Sequence, residues 1–152
     1  MLSHVKKWVD AILTSGDMAE RRPALKSNNE SNIKGLYVIG DLAGAPVIKL
    51  AMAQGVEVVE HIAAQPDARS SDPKVYDLIV AGAGAAGLNA ALAAKEKGLR
   101  TMVLEKGKIA NTIENFPESK WVYAEPDQTP PKGKLWLDGA RKEDLIRRWH
   151  QI

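Results

Sequence analysis

An apolar stretch that runs directly into three spaced glycines constrains this chain most. Residues 77–87 read Asp-Leu-Ile-Val-Ala-Gly-Ala-Gly-Ala-Ala-Gly, and an alanine-rich stretch follows them. A short apolar run of this kind is typical of a parallel strand buried on both faces. The pattern therefore predicts a strand over 76–81, a glycine-rich turn, and a helix over 85–97 that a glycine closes.

Each glycine of this G-x-G-x-x-G turn has a mechanical reason. Gly82 permits a tight turn out of the strand, Gly84 lets a pyrophosphate approach the backbone, and Gly87 lets the helix pack against the strand. The first helical residues, Ala85 and Ala86, would offer free N–H groups to phosphates. The spacing predicts a dinucleotide site. The alternative is a Gly/Ala-rich helix start without a ligand.

An acidic residue follows at the distance that a dinucleotide site requires. The next predicted strand, 100–104, ends immediately before Glu105, about twenty residues beyond the turn. There the carboxylate is placed to accept hydrogen bonds from an adenosine ribose, with Lys106 beside it. As an exposed group at a strand end, Glu105 is expected to contribute little to packing.

A second motif lies earlier in the chain. Residues 35–41 read Gly-Leu-Tyr-Val-Ile-Gly-Asp, which predicts a short strand over 36–40 that ends in Gly40-Asp41. A helix is predicted over 46–64. By itself a Gly-Asp pair means little, and Asp41 has the alternative interpretation of a plain helix N-cap.

The setting of this pair resembles the closing FAD motif of thioredoxin reductase-like flavoproteins. The similarity covers residues 30–41 and the following helix with its Gln54-Gly55 pair. It implies that Asp41 binds the ribityl and pyrophosphate part of FAD, and that this helix points its N-terminus at the flavin. A helix dipole placed there favours negative charge on the reduced flavin. Lys49 would lie near the flavin carbonyl edge; a solvated helix lysine is the alternative.

A third match is the turn Thr112-Ile113-Glu114-Asn115-Phe116-Pro117. Thioredoxin reductases carry a similar turn near the isoalloxazine, so the resemblance implies a flavin-side role for Asn115; an ordinary surface turn is the alternative. The run 105–112 also resembles bacillithiol disulfide reductase-like proteins. One branch of that family has a cysteine where this chain has Ala85 and Ala86.

The order of these motifs is the reverse of the order in the family. There the glycine-rich turn opens the FAD domain and the Gly-Asp pair lies near its end. We therefore expect a closing segment over 1–64, a linker over 65–74 and an opening segment over 75–152, which together make one domain. The fold class is α/β, a Rossmann-like FAD-binding domain with a parallel sheet that is partial or circularly permuted. A junction of two flavoproteins and a fragment of a longer permuted protein are the alternatives.

Permutation predicts a specific sheet. Strands 36–40, 76–81 and 100–104 should be parallel and adjacent, with 76–81 in the middle. Because both crossovers are right-handed, the helices 46–64 and 85–97 should lie on the same face. The chain should then have an exposed apolar sheet face or edge, which another copy of the chain or the remainder of a longer protein should cover.

The functional expectation follows from the resemblance. We expect the FAD-binding portion of an NAD(P)H-linked flavoprotein oxidoreductase that is incomplete for turnover, because no second glycine fingerprint occurs. FAD is the expected cofactor, and NAD(P)H is expected only for a complete enzyme. The alternative is a non-catalytic nucleotide-binding or assembly module. The sequence assigns no catalytic residue, electron acceptor or preference between NADH and NADPH.

Composition excludes several other classes. The 152 residues suffice for one compact domain, and a net charge of +2 with mixed signs gives no case for nucleic acid or a membrane. The chain has no cysteine, which excludes a thiol nucleophile, and its three histidines are too widely separated to predict a metal site. Without a membrane span or a signal-peptide core, a cytoplasmic location is expected.

The remaining segments have weaker patterns. Residues 2–14 predict an amphipathic helix, and 141–151 predict a final helix. Between them, 106–139 predicts a long loop with short strands around Trp121–Tyr123 and Lys134–Leu137. The tryptophans of this region are interpreted as hydrophobic anchors rather than as a stacking surface, because the chain has a single phenylalanine.

Overall fold

The computed structural model describes residues 22–152, so the helix predicted over 2–14 lies outside the described residues. A 3₁₀ turn at Asp41–Ala43 precedes the first long helix. The elements that follow are, in chain order, α1 (Ile48–Ala63), β1 (Leu78–Ala81), α2 (Ala85–Glu96), β2 (Thr101–Leu104), α3 (Asn111–Glu114), β3 (Trp121–Val122), β4 (Ala140–Arg141) and α4 (Lys142–Trp149).

The strand–helix–strand unit forms as predicted. β1 and β2 are parallel, with Leu78 opposite Thr101 and Ala81 opposite Leu104. α2 packs on both strands and ends in a left-handed Gly98, whose N–H donates to Lys95 O at 3.1 Å. This is the glycine-closed helix end that the sequence predicts. The mixed α/β arrangement with a parallel strand pair is consistent with part of a Rossmann-like domain.

The prediction of a third parallel strand over 36–40 is wrong. Within residues 22–152 this segment pairs only with the chain just before it, through an antiparallel bridge between Glu30 and Tyr37. Ser31 N–H donates to Leu36 O at 2.8 Å, and Val38 N–H donates to Asn29 O at 3.0 Å. The backbone groups that a sheet would need are thus used in a local turn. The parallel sheet of the described residues has two strands, so β1 is not its centre.

The two long helices pack closely on each other. A Cβ on Gly55 of α1 would overlap the carbonyl oxygen of Ala86 and lie 3.1 Å from the backbone nitrogen of Ala90 in α2. Leu78 of β1 packs against the same buried cluster as both helices. This is consistent with the prediction that the helices share one side of the strands. The cluster consists of Val56, Val59, Ala68, Ala90, Ala93, Ala94 and Leu99.

On the opposite side of the strand pair, no element of residues 22–152 covers the apolar side chains. Val80 is buried beneath α2, whereas Ile79 is 58% exposed and Leu104 is 51% exposed. Within residues 22–152, β1 is therefore buried on one face, in agreement with the expected exposed apolar face or edge. Alternate strand residues point to opposite faces, and in the described residues only one face is covered by a helix.

A second core forms in the C-terminal part. β3 and β4 pair antiparallel, with Trp121 opposite Arg141. The strand predicted at Lys134–Leu137 is wrong, because Leu135 donates its N–H to a side chain of α2 instead of to a strand. Trp149 is buried and is an anchor as predicted, whereas Trp121 is 47% exposed. The buried members are Met52, Ala110, Ile113, Val122, Leu135, Leu137, Ala140, Leu145 and Trp149.

An ion pair between Arg100 and Asp77 lies at the amino ends of β1 and β2, opposite the glycine-rich turn. The Arg100 guanidinium donates to both carboxylate oxygens of Asp77, and to the backbone oxygens of Ser70 and Asp72. Asp77 also accepts the backbone N–H groups of Ser70 and Arg100, each at 2.8 Å. The hydrogen bonds from Arg100 lower the pKa of Asp77 to about 2. This cluster ties the linker 65–74 to the sheet.

Among the helices of residues 22–152, none combines the length and the apolar character that crossing a membrane demands.

Candidate functional site

The glycine-rich turn has the geometry for which each glycine was predicted. Gly82 follows β1 with φ +106°, a conformation that residues with a Cβ rarely adopt. A Cβ on Gly87 would overlap Gly82 O and lie 3.1 Å from Val80 Cγ1, so helix and strand meet there. A Cβ on Gly84 would have no atom of residues 22–152 within 4 Å. The space above the middle glycine is therefore open.

Glu105 is tied to the turn. One carboxylate oxygen accepts the backbone N–H of Ala83 at 2.8 Å, and the other accepts that of Gly107 at 2.8 Å. The N–H of Ala83, followed by that of Gly107, lowers the pKa of the Glu105 carboxyl. A carboxylate has about four lone-pair positions, so each oxygen keeps one for a further donor. The acid thus braces the loop and still presents acceptors.

An open depression of about 480 Å³ lies at the carboxyl ends of both parallel strands. Glu105 and Lys106, which the sequence places in the site, both line it. Ligands of doubly wound sheets bind at this end of the strands. The full lining is Ala81, Gly82, Leu104, Glu105 and Lys106.

The Gly40-Asp41 turn lies next to the start of α2, although the segment before it is not a strand of the parallel sheet. Gly40 has φ +77°, and its N–H donates to Gln54 Oε1 of α1 at 2.9 Å. A Cβ on Gly40 would lie 3.2 Å from the Cβ of Ala86, in the first turn of α2. The two motifs are therefore neighbours although 36–40 is not in the sheet. Asp41 is exposed and lies before Val47, the N-cap of α1, so the N-cap interpretation of Asp41 is wrong.

Lys49 lies in the first turn of α1 and is buried. Its ammonium donates to the carbonyl oxygens of Pro126 at 2.5 Å and Thr129 at 2.7 Å. The alternative of a solvated helix lysine is therefore wrong. In this structure the amine holds the 126–129 loop against α1.

Asn115 ends the short helix α3, and its N–H donates to Asn111 O at 3.1 Å. Asn115 itself is exposed. The start of α3 is joined to the glycine-rich turn, because Ala110 N–H donates to Ala83 O at 2.8 Å. The turn that carries Asn115 is therefore connected to the site through one hydrogen bond and one helical turn.

Sequence reasoning missed Asn89, which is fully buried in α2. Its amide nitrogen donates to Met52 O at 2.9 Å and Lys132 O at 2.7 Å, and its oxygen accepts Leu135 N–H at 3.1 Å. One side chain thus joins α1, α2 and the 132–135 segment. A lone amide in an alanine-rich helix was the available clue, because a polar residue on a packed face must find partners.

Residues 22–152 contain no group of three His, Cys, Asp or Glu side chains that could hold a metal ion, and Glu105 has only backbone neighbours as hydrogen-bond donors. The chemistry of the site is that of backbone N–H groups, the Glu105 carboxylate and the nearby side chain of Lys106. Such a set suits a phosphate- and ribose-bearing ligand.

The part of the chain that contains the glycine-rich turn and Glu105 is similar to known proteins. The family described as pyridine nucleotide-disulphide oxidoreductase matches residues 79–127. The thioredoxin reductase of Ureaplasma parvum serovar 3 is 51% identical over 49 residues, which cover 28% of this chain and 16% of that protein. The thioredoxin reductase of Bacillus subtilis (strain 168) is 42% identical over 53 residues, which cover 31% of this chain and 17% of that protein. No solved structure matches.

The matches therefore span 16–17% of the length of these curated relatives. The family match begins inside β1 and contains the glycine-rich turn, Glu105 and the turn at Asn115. The Gly40-Asp41 motif lies outside it. This part of the chain is therefore similar to the pyridine nucleotide-disulphide oxidoreductase family and to thioredoxin reductases.

Proposed function

We propose that this chain provides the FAD-binding portion of an NAD(P)H-linked flavoprotein oxidoreductase. The observation that carries the proposal is the meeting of three features at one end of β1 and β2. These are the glycine-rich turn, the Glu105 carboxylate that braces it, and the Gly40-Asp41 turn against Ala86. The motifs are far apart in the chain, and packing of α1 on α2 brings them together.

The residues fit the adenosine diphosphate half of FAD. A Cβ at Gly84 would project into open space, so a pyrophosphate can approach the backbone there. The N–H groups of Ala85 and Ala86 begin α2, where helix donors lack partners within the helix. The free lone pairs of Glu105 suit ribose hydroxyls, and Lys106 lines the same depression.

The flavin side of the proposed site is formed by Asp41 and Asn115. Asp41 is next to Gly40, which contacts the start of α2, and Asn115 is joined to the glycine-rich turn through Ala110. Lys49 would serve the flavin only if the 126–129 loop released its ammonium. When bound, FAD supplies hydride acceptance, whereas these residues bind and orient it.

We further propose that the order of the motifs reflects a circular permutation or a partial domain, with the closing segment before the linker 65–74. The 152 residues contain one G-x-G-x-x-G pattern, so the nicotinamide site of the proposed enzyme would be supplied elsewhere. The exposed Ile79 and Leu104 suit burial by further protein or by a second copy.

A titration of the purified chain with FAD tests the proposal. We expect quenched flavin fluorescence and a shifted visible spectrum. Gly84→Val is the sharp variant, because Gly84 has φ −78° and open space around it, so valine should fold normally and block the phosphates. Lys74→Met, in the linker, is the control. Absence of binding at high micromolar FAD, or equal affinity in Gly84→Val, would contradict the proposal.

A non-catalytic nucleotide-binding or assembly module is the second candidate. The single glycine fingerprint and the open apolar face favour it. Competition between ADP and FAD separates the candidates, because a general nucleotide module should bind both equally, whereas a flavin site should prefer FAD. NAD(P)H oxidation with a dye acceptor should show little turnover by these residues alone. Robust turnover would show that a nicotinamide site is present.

A further inference from the structure

We infer that Lys142, at the start of the final helix, is a positioning residue that holds the Asn115 turn in its cofactor-facing geometry. The cofactor-facing role of Asn115 rests on the proposed function. The hydrogen bonds that hold the turn are independent of it.

The Lys142 ammonium donates hydrogen bonds to the backbone on both sides of Asn115. It donates to Glu114 O at 3.0 Å and to Phe116 O at 2.5 Å, and its side chain is 15% exposed. Glu114 is the last residue of α3, which has only four residues. A helix this short has little stability of its own. A cation at its C-terminal carbonyls caps it and is favoured by the helix dipole.

Neighbouring contacts fix the base from which Lys142 reaches. Its own N–H donates to Lys120 O at 2.9 Å, and Glu143 accepts the N–H of Ser119 at 3.0 Å. Ile113 of α3 belongs to the same buried cluster as Leu145 of α4. These contacts position the start of α4, and with it Lys142, next to α3.

The other end of α3 is held by the proposed cofactor site itself. Ala110 N–H donates to Ala83 O, and Ala83 N–H donates to Glu105. Hydrogen bonds thus hold the turn at two points, at the glycine-rich turn and at Lys142. Lys142 lies outside the segment 79–127, which is the part of the chain that is similar to the family.

Three variants of the full chain test the inference: Lys142→Met removes the charge, Lys142→Arg restores a donor, and Lys120→Met, at an exposed position of the same segment, is the control. Without FAD, we expect Lys142→Met to raise amide hydrogen exchange at Asn115 and Phe116 by about tenfold, as for lost hydrogen bonds to a charged group. Lys142→Arg should restore part of the protection, and Lys120→Met should resemble the wild type.

With FAD, Lys142→Met should alter the shape of the visible flavin band and the residual fluorescence, whereas Lys142→Arg should recover the wild-type spectrum. Unchanged exchange and an unchanged flavin spectrum in Lys142→Met would overturn the inference. If the wild-type chain binds no FAD, the proposed function fails, and the cofactor-facing role of the turn fails with it. If the wild type binds FAD and only the exchange changes, Lys142 is structural and the inference is overturned.

Discussion

The carboxylate of Glu105 accepts the backbone N–H of Ala83 at 2.8 Å, so the acid after β2 holds the middle of the glycine-rich turn after β1. Its second oxygen holds Gly107 N–H at the same distance. From the sequence, this acid is predicted to accept hydrogen bonds from a ribose and to contribute little to packing. Glu105 is exposed, as predicted, and in addition its two hydrogen bonds to backbone N–H groups brace the turn in the chain without ligand.

Glu105→Ala should therefore have two effects. Amide exchange at Ala83 and Gly107 should rise in the FAD-free chain, because both N–H groups lose their acceptor. FAD affinity should fall on the order of tenfold, as for a lost charge-assisted hydrogen bond. Lys108→Ala, at an exposed nearby position, is the control. Wild-type exchange in the Glu105 variant would contradict the bracing role, and wild-type affinity would place the ribose acceptor elsewhere.

Gly55→Ala should destabilise the packing of α1 on α2. The added Cβ would overlap Ala86 O, which belongs to backbone and cannot rotate away. We expect a loss of about 1–3 kcal/mol in the free energy of unfolding, the usual cost of overpacking. Urea denaturation measures it. Gly84→Ala is the matched control, because its Cβ would meet no described atom within 4 Å. Equal stability of the two variants would show that α1 and α2 can shift apart at this contact without a measurable loss of stability.

Asn89→Ala should destabilise the chain through unsatisfied backbone groups. Lys132 O and Leu135 N–H would lose the partner that Asn89 provides, and Met52 O would keep only its hydrogen bond within α1. The expected cost is about 1–3 kcal/mol for each group left buried without a hydrogen bond. Asn111→Ala, at an exposed position, is the control in the same denaturation series. A loss no larger than that of the control would mean that water replaces the amide.

Stability should depend on pH through Asp77. Its pKa is lowered from 3.8 to about 2 by Arg100, so the ionised form is favoured in the folded chain. A lowered folded pKa contributes stability that is present above pH 3.8 and is lost as the pH falls towards 2. Asp77→Asn should flatten this part of the stability profile, measured by thermal unfolding from pH 5 to pH 2. The exposed Asp138→Asn variant should keep the wild-type slope. An unchanged slope in Asp77→Asn would assign the acid sensitivity to other carboxyls.

The open face of the strand pair should make the isolated chain associate. Ile79→Lys should reduce self-association in a light-scattering concentration series and reduce binding of a hydrophobic dye, because it places a charge on the apolar face. Ile33→Lys is a closely matched control, since Ile33 and Ile79 are each 58% exposed but only Ile79 lies in the sheet. A wild-type chain that stays monomeric at high concentration without binding the dye would contradict this prediction. Equal effects of both substitutions would show that the sheet face has no special role.

The sequence alone determined the unit from β1 to Glu105. The apolar run, the spaced glycines, the alanine-rich helix and Gly98 are adjacent in the chain, and each acts on its neighbours within a few residues. Local sterics and helix capping therefore determine the turn, the helix and the strand that follows. The acid was predictable because a parallel crossover returns the chain to the same end of the sheet.

Only the tertiary structure decided where the less distinctive segments lie. Residues 36–40 are apolar enough for a strand, but a local turn satisfies their backbone groups with less loss of chain entropy than a distant pairing. The partner of Leu135 N–H, the side chain of Asn89, was also not predictable from local sequence. Nor were the partners of Lys49 and Lys142, whose ammonium groups donate to backbone carbonyls far away in the chain. Spacing along the sequence carries information about near neighbours. The partners of these residues depend on how the cores pack.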